Sequence, residues 1–217
     1  MSIFNPLTWL WPNSKSSSAL TLSPDSTTVF AEVPPLPSLT TYFAYGSNMS
    51  VDQMNLRKIP WTNRCAAAIR DYRIAFNSDG GIKSYANIMP KPGKNVYGIM
   101  YEGCNHQSFE NLDWHEEVKI GRYLRVEVDI LMPLTEDGLW EYGLDGEFLN
   151  GNELGKKDPA KSLRTVVYIG APSFIKEGLS PTREYLSRLL KGEDYLPKEY
   201  FEELKRTPTI DVYEDRI

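Results

Sequence analysis

The segment that most restricts the fold runs from Tyr123 to Met132. There Leu124, Val126, Val128 and Ile130 alternate with Arg125, Glu127 and Asp129, the period of two expected for a strand with one face on a core. A chain built around it needs more strands and a layer to cover the apolar face. Tyr42–Tyr45, Cys65–Phe76, Tyr85–Met89, Val96–Tyr101 and Thr165–Ile169 are β-prone because aromatic and β-branched side chains suit a pleated, half-buried surface. Asp79-Gly80-Gly81 and Pro90–Lys94 read as turns. Val51–Leu56 follows Ser50, a good N-cap, and Ser108–Trp114 places Phe109 and Leu112 on one side of a short helix. Thr182–Lys191 and Lys198–Arg206 read as helices behind Pro181 and Leu196-Pro197. Strands in front and helices behind predict an α+β fold, a curled or barrel-like mixed sheet with flanking helices.

With 217 residues, 41% of them hydrophobic and 24% charged, the chain suits one well-buried domain. A net charge of -5 gives no basic footprint for nucleic acid. Cys65 and Cys104 are too few for a disulfide framework and fit reduced thiols in a cytoplasmic protein. No apolar run reaches the roughly 18 residues needed to span a bilayer, so stable membrane insertion is not expected. Residues 1–38 are rich in Ser, Thr and Pro and are read as a flexible leader, with the domain at 39–217. Phe4, Leu7, Trp9, Leu10 and Trp11 cluster near the start, interrupted by Pro6 and Pro12. No basic residue precedes the cluster, against a secretory signal; a docking patch or a weak membrane contact stays open. Pro133–Leu163 carries Trp140, Tyr142 and Phe148 among glycines and acids. It reads equally as a surface excursion or as a mobile segment closing over a bulky, partly apolar ligand.

Two stretches carry chemistry. In Tyr42-Phe43-Ala44-Tyr45-Gly46-Ser47-Asn48-Met49 a buried strand runs into a tight polar loop. Gly46 allows a positive φ or a close approach, and Ser47 and Asn48 bring donors into one concavity suited to an anion or a polarised carbonyl. The same residues also make an ordinary turn. Leu112–Tyr123 puts Asp113, Glu116 and Glu117 at the end of a helix, where the macrodipole disfavours carboxylates. A partly desolvated glutamate there suits a general base; a solvated acidic turn is the plainer reading. His106 and His115 are the only histidines, and Cys104-Asn105-His106 lacks a second pair at zinc-ligand spacing, so no metal site is assigned. A Cys-His nucleophile has no supporting motif, and Ser47 lacks the Gly-x-Ser-x-Gly elbow. Phosphate-binding glycine loops and dinucleotide fingerprints are absent.

In order, Tyr42–Met49, Val96-Tyr97-Gly98-Ile99-Met100-Tyr101, Leu112-Asp113-x-x-Glu116 with Val118, Gly121 and Tyr123, Val167-Tyr168-Ile169, Pro181–Tyr185 and Leu196–Tyr200 resemble the γ-glutamylcyclotransferase family. The resemblance spans nearly all of residues 40–206 and implies a small mixed β-barrel with flanking helices. It implies a cofactor-independent enzyme that cleaves a small-molecule γ-glutamyl amide by cyclisation to 5-oxoproline. The loop Tyr45, Gly46, Ser47 and Asn48 would bind the γ-glutamyl group, Glu116 would be the catalytic base, and Tyr123 and Tyr168 would line the pocket. Glu117 departs from the glycine common at that place, and Pro133–Leu163 exceeds the usual length there. A non-catalytic ligand- or protein-binding module of the same fold, and a hydrolase releasing glutamate, are the rival readings.

Overall fold

The computed structural model describes residues 34–141, 143–144 and 160–211. Five strands, β1 (Tyr42–Ala44), β2 (Asn63–Asp79), β3 (Ser84–Glu102), β4 (Tyr123–Pro133) and β5 (Ala160–Gly170), close into a barrel in the order β1-β3-β2-β4-β5. β5 meets β1 in parallel and every other neighbouring pair is antiparallel, so the barrel is mixed. The α+β expectation holds.

Packing explains the irregularities. Gly98 of β3 lies against β1 so closely that a Cβ would stand 2.2 Å from the Ala44 carbonyl oxygen. The close neighbour foreseen for this glycine is therefore backbone. The turn expected at Pro90–Lys94 does not end a strand, because β3 runs through it. Pairing jumps from Arg70↔Asn95 to Tyr72↔Pro90, leaving residues 91–94 as an exposed bulge opposite Asp71. Asp71 (φ 61°) accepts the Gly93 N–H at 2.8 Å. The turn residues thus bend a long hairpin around the barrel instead of breaking it.

The alternation in β4 also needs correcting at its start. Tyr123 is buried, Leu124 is exposed, and the Arg125 side chain is only 4% exposed. Arg125 turns inward because its charge is fully matched: it pairs with Asp113, and Nη2 donates to the carbonyls of Pro34 and Pro35 at 2.6 Å each. Ile130 and Met132, farther along, are buried as hydrophobic periodicity demands.

The helices are α1 (Val51–Leu56), α2 (His106–His115), α3 (Arg183–Leu189) and α4 (Lys198–Lys205). Ser50 caps α1 as expected, and Thr182 caps α3 by accepting the Tyr185 N–H at 3.0 Å. α2 begins two residues before its predicted start because Asn105 and Ser108 form a reciprocal capping box. Of the predicted leader, residues 1–33, with Trp9 and Trp11, lie outside the described residues. Residues 34–38 run onto the domain through the Arg125 contacts, and the Cys104 N–H bonds the Thr40 carbonyl at 2.9 Å.

Candidate active site

β1 ends at Ala44 and hands the chain to Tyr45, Gly46 and a single 3-10 turn, Ser47–Met49. The Met49 N–H closes that turn on the Gly46 carbonyl at 3.0 Å. The amides of Ser47 and Asn48 stand at its start and have no partner within it, as at any helix N-terminus. Gly46 has φ -113°, so the positive φ that glycine allows is not used here. The turn is held from behind by Tyr101, whose hydroxyl donates to the Asn48 carbonyl at 2.8 Å.

α2 delivers the carboxylate. Glu116 is the C-cap of α2, and its side chain is 16% exposed. Arg57, the C-cap of α1, meets it: Nη1 bonds Glu116 Oε1 at 2.8 Å and Asn48 Oδ1 at 3.0 Å. Asn48 completes a triangle by donating Nδ2 to Glu116 Oε1 at 3.2 Å and to the Tyr42 hydroxyl at 2.9 Å. A charge placed unfavourably at a helix C-terminus is thereby offset by a guanidinium and an amide. Glu117 takes the left-handed conformation (φ 53°, ψ 41°) that glycine adopts most easily, and its carboxylate pairs with Arg122.

These elements enclose two connected spaces. A recess of about 30 Å³ is lined by Tyr45, Gly46, Ser47, Asn48, Glu116, Tyr123 and Tyr168. All seven residues singled out in the sequence therefore meet on one wall system. Three more that the sequence reading passed over, Tyr42, Ala86 and Tyr185, complete it. Outside lies a cleft of about 300 Å³ that shares Ser47, Glu116, Tyr123 and Tyr185 and adds Arg57, His115, Glu117, Arg122 and Arg188.

The tyrosines of the recess are committed to the protein frame. Tyr45 donates to the Tyr168 carbonyl at 2.5 Å, Tyr123 to the Ala86 carbonyl at 2.7 Å, and Tyr168 to Asp113 Oδ1 at 2.7 Å. Tyr185 accepts the Ala86 N–H at 3.0 Å. Burial, reinforced for Tyr42 by the Glu116 charge and for Tyr123 by Tyr185 and then Glu116, holds these phenols well above their usual range. They stay protonated at neutral pH and shape the site rather than exchange protons.

Other candidates separate from this centre. Burial pushes the Cys104 thiol up to about 12 and Cys65 up to about 11, the opposite of an activated nucleophile. No group of three or more His, Cys, Asp or Glu is gathered at metal-binding separation among the described residues. Trp140 packs edge-on against Tyr97 at 5.7 Å and lies on neither wall. Tyr142 and Phe148 lie outside the described residues. No described helix is long and apolar enough to cross a membrane.

A small mixed barrel with a carboxylate and a turn of backbone donors at one recess defines the class: a small-molecule site built where a short strand leaves the barrel. The family model described as "Gamma-glutamyl cyclotransferase, AIG2-like" matches residues 42–156, and the chain belongs to that family. The human gamma-glutamylcyclotransferase is 28% identical over 172 residues, 76% of each chain. The mouse protein of the same name is 27% identical over the same length. A solved gamma-glutamyl cyclotransferase structure matches with a TM-score of 0.60 at 25% identity, covering 81% of this chain and 92% of that one. The Bacillus subtilis protein YkqA, at 18% identity and a TM-score of 0.53, shares the fold.

Proposed function

We propose that this protein is a cytoplasmic γ-glutamylcyclotransferase that cleaves a small-molecule γ-glutamyl amide and releases 5-oxoproline without a cofactor. One observation carries the reading: Glu116 and the Ser47–Asn48 turn line the same recess, and the Asn48 side chain donates Nδ2 to Glu116 Oε1 at 3.2 Å. On this reading Glu116 takes a proton from the substrate's α-ammonium, and the freed amine attacks the γ-carbonyl of the same glutamyl unit. The C–N bond of the five-membered ring forms as the γ-amide C–N bond breaks. Glu116 returns that proton to the departing nitrogen, and the second proton, lost from the ring nitrogen as the intermediate collapses, follows by the same carboxylate and leaves the amine as an ammonium, with no net proton change.

Ring closure within one molecule gains most of its advantage from proximity, so the protein has to orient the chain and relay protons from the α-nitrogen to the departing one. The amides of Ser47 and Asn48, without partners inside their turn, suit the negative charge that develops on the carbonyl oxygen. Tyrosine hydroxyls fixed to backbone carbonyls give the recess a set shape. Mass spectrometry of products from a panel of γ-glutamyl amino acids, amines and glutathione-derived conjugates tests the proposal. A stoichiometric amine and 5-oxoproline are expected. Free glutamate would make the protein a hydrolase, and binding without turnover would make it a ligand-binding member of the family.

A further inference from the structure

Behind the recess, one buried polar side chain bonds across the barrel. Asn87 of β3 is fully buried and lines neither the recess nor the cleft. Its Oδ1 accepts two backbone N–H groups, those of Ile88 and Gly170, at 2.8 Å each. Only the oxygen of an amide can accept, so these two donors fix which way the side chain faces. Nδ2 donates to Asn77 Oδ1 at 3.1 Å, and Asn77, buried on β2, donates in turn to Glu177 Oε1 at 2.8 Å. Gly170 is the last residue of β5. In the barrel order β1 stands between β5 and β3, but it ends at Ala44. Asn87 therefore bonds two strands that are not barrel neighbours. Gly170 leaves room for this partner, since a Cβ there would stand 2.9 Å from the Asn87 amide carbon and nitrogen.

The two backbone segments joined in this way carry the phenols of the recess. On the β3 side, the Ala86 carbonyl accepts the Tyr123 hydroxyl at 2.7 Å and the Ala86 N–H donates to the Tyr185 hydroxyl at 3.0 Å. On the β5 side, the carbonyl of Tyr168, two residues before Gly170, accepts the Tyr45 hydroxyl at 2.5 Å. Tyr123, whose register partner on β5 is Gly170, spans the same gap from inside the recess. Asn87 spans it from outside. Three hydroxyls thus hang on two short segments, and the Asn87 side chain fixes the distance between them.

We propose, on the cyclotransferase reading above, that Asn87 is a positioning residue for ring closure: its bond to Gly170 sets the width of the recess in which the glutamyl unit is aligned with Glu116. Asn87 touches no substrate and moves no proton. It acts through Ala86 and Tyr168, the segments that hold Tyr45, Tyr123 and Tyr185 in place. A misplacement of about 1 Å at a reacting centre costs on the order of 10²-fold in rate, so loss of this brace appears in kcat.

The test separates the hydrogen bond from the packing around it. Asn87→Ala in the full chain removes the bond and leaves a hole. Asn87→Ala combined with Gly170→Ala refills the hole with a methyl group and does not restore the bond. The melting temperature is expected to fall in the single variant and largely to recover in the double one. With γ-glutamylalanine as substrate, kcat of the double variant, read as 5-oxoproline release, is expected to stay roughly tenfold to hundredfold below wild type while KM changes less than about threefold. Wild-type kcat in the double variant overturns the proposal, because Asn87 then supplies packing alone. A loss confined to KM overturns it too, since the glutamyl unit would then be held more weakly and aligned as well as before. A crystal structure of the double variant reads the brace without turnover. Tyr45 and Tyr123 hydroxyls displaced from the Tyr168 and Ala86 carbonyls are expected, and unchanged phenol bonds sink the proposal. Wild-type protein that releases no 5-oxoproline from any γ-glutamyl compound counts against the cyclotransferase reading; the crystallographic comparison decides separately whether Asn87 sets the recess.

Discussion

The recess and the cleft share Glu116, Ser47, Tyr123 and Tyr185, yet they are made of different materials. The recess is tyrosine and backbone, with each of its phenols bonded to a neighbouring group of the frame. The cleft is ion pairs: Arg57 with Glu116, Arg122 with Glu117 and Arg188 with Glu184. Hydrogen bonds to barrel backbone fix a shape; of the ion pairs, the more exposed Arg188–Glu184 exchanges partners at little cost, while Arg57–Glu116, with both side chains 16% exposed, is held. The contrast divides the site into a recess of set shape and a cleft of charge.

The strongest attempt to break that division is Glu116→Gln, which removes the one charge common to both spaces. Loss of a general base is expected to lower kcat on the order of 10² to 10⁴-fold. The fold should survive, weakened by about 1–3 kcal/mol because Arg57 loses its partner. Full activity in this variant with a dead Glu117→Gln would move the base one residue along.

Gly98→Ala tests the frame behind the recess. Its methyl would stand 2.2 Å from the Ala44 carbonyl, a backbone atom that cannot swing away. A stability loss of about 3 kcal/mol in urea denaturation is expected, with β1 and the Tyr45–Asn48 turn displaced. A loss below about 1 kcal/mol would mean that β1 shifts freely and that the recess is softer than its bonds suggest.

Truncation tests the recess from its other side. We propose a domain boundary near residue 34 instead of 38, because the Pro34 and Pro35 carbonyls hold Arg125, which pairs with Asp113, which accepts the Tyr168 hydroxyl. Removing residues 1–33 should change neither melting nor kcat/KM. Removing 1–38 should cost about 1–2 kcal/mol and weaken substrate binding, since Arg125 loses two acceptors. Identical behaviour of the two truncations would detach Tyr168 from that relay.

Smaller effects belong to the cleft. Glu117→Gly exchanges a strained left-handed glutamate for a residue at ease there, with the exposed Arg122 pair lost in return. A net gain of about 0.5–1 kcal/mol is expected, with kcat barely moved. His115 offers the mildest probe. Burial, then the Arg57 charge, holds its imidazole below the ordinary histidine value of about 6.5. As pH falls through that value the unfolded chain takes up the proton first, so this residue disfavours the native state in acid and is neutral to stability above it. His115→Gln should flatten that slope of stability on the acid side of the ordinary histidine pKa.

Much of this could be read from residues alone, and the failures have physical causes. Seven of the recess residues lie in two compact stretches plus Tyr168, which the family resemblance gathered; Ala86 and Tyr185 lie outside those stretches and were passed over. Arg57 was missed because its role depends on α1 bringing its end back against the end of α2. Its place nine residues after Asn48, one short helix away, was the available clue. Tyr185 stood in a recognised helix start without an assigned role. Arg125 was misread because periodicity treats arginine as outward-facing, and only the Asp113, Pro34 and Pro35 partners make an inward one affordable. The Pro90–Lys94 turn chemistry was correctly seen and wrongly assumed to end a strand. The departure of Glu117 from glycine marked the backbone there, but its left-handed conformation came only from the structure.

The shortest strand has one more consequence. β1 spans three residues and meets β5 through a single register pair, Tyr42↔Val166, beside the Val166 N–H to Thr41 carbonyl bond of 3.1 Å. The β2–β3 hairpin, by contrast, pairs fifteen times along strands of 17 and 19 residues. Warming should unzip the barrel first at its single-pair seams, β1–β5 at Tyr42↔Val166 and β2–β4 at Ala68↔Leu131, and Tyr45 directly follows β1, the shortest strand. Function and bulk secondary structure would then fail at different temperatures: a sample with nearly all of its circular dichroism intact would already have lost the assembled Tyr45–Asn48 turn.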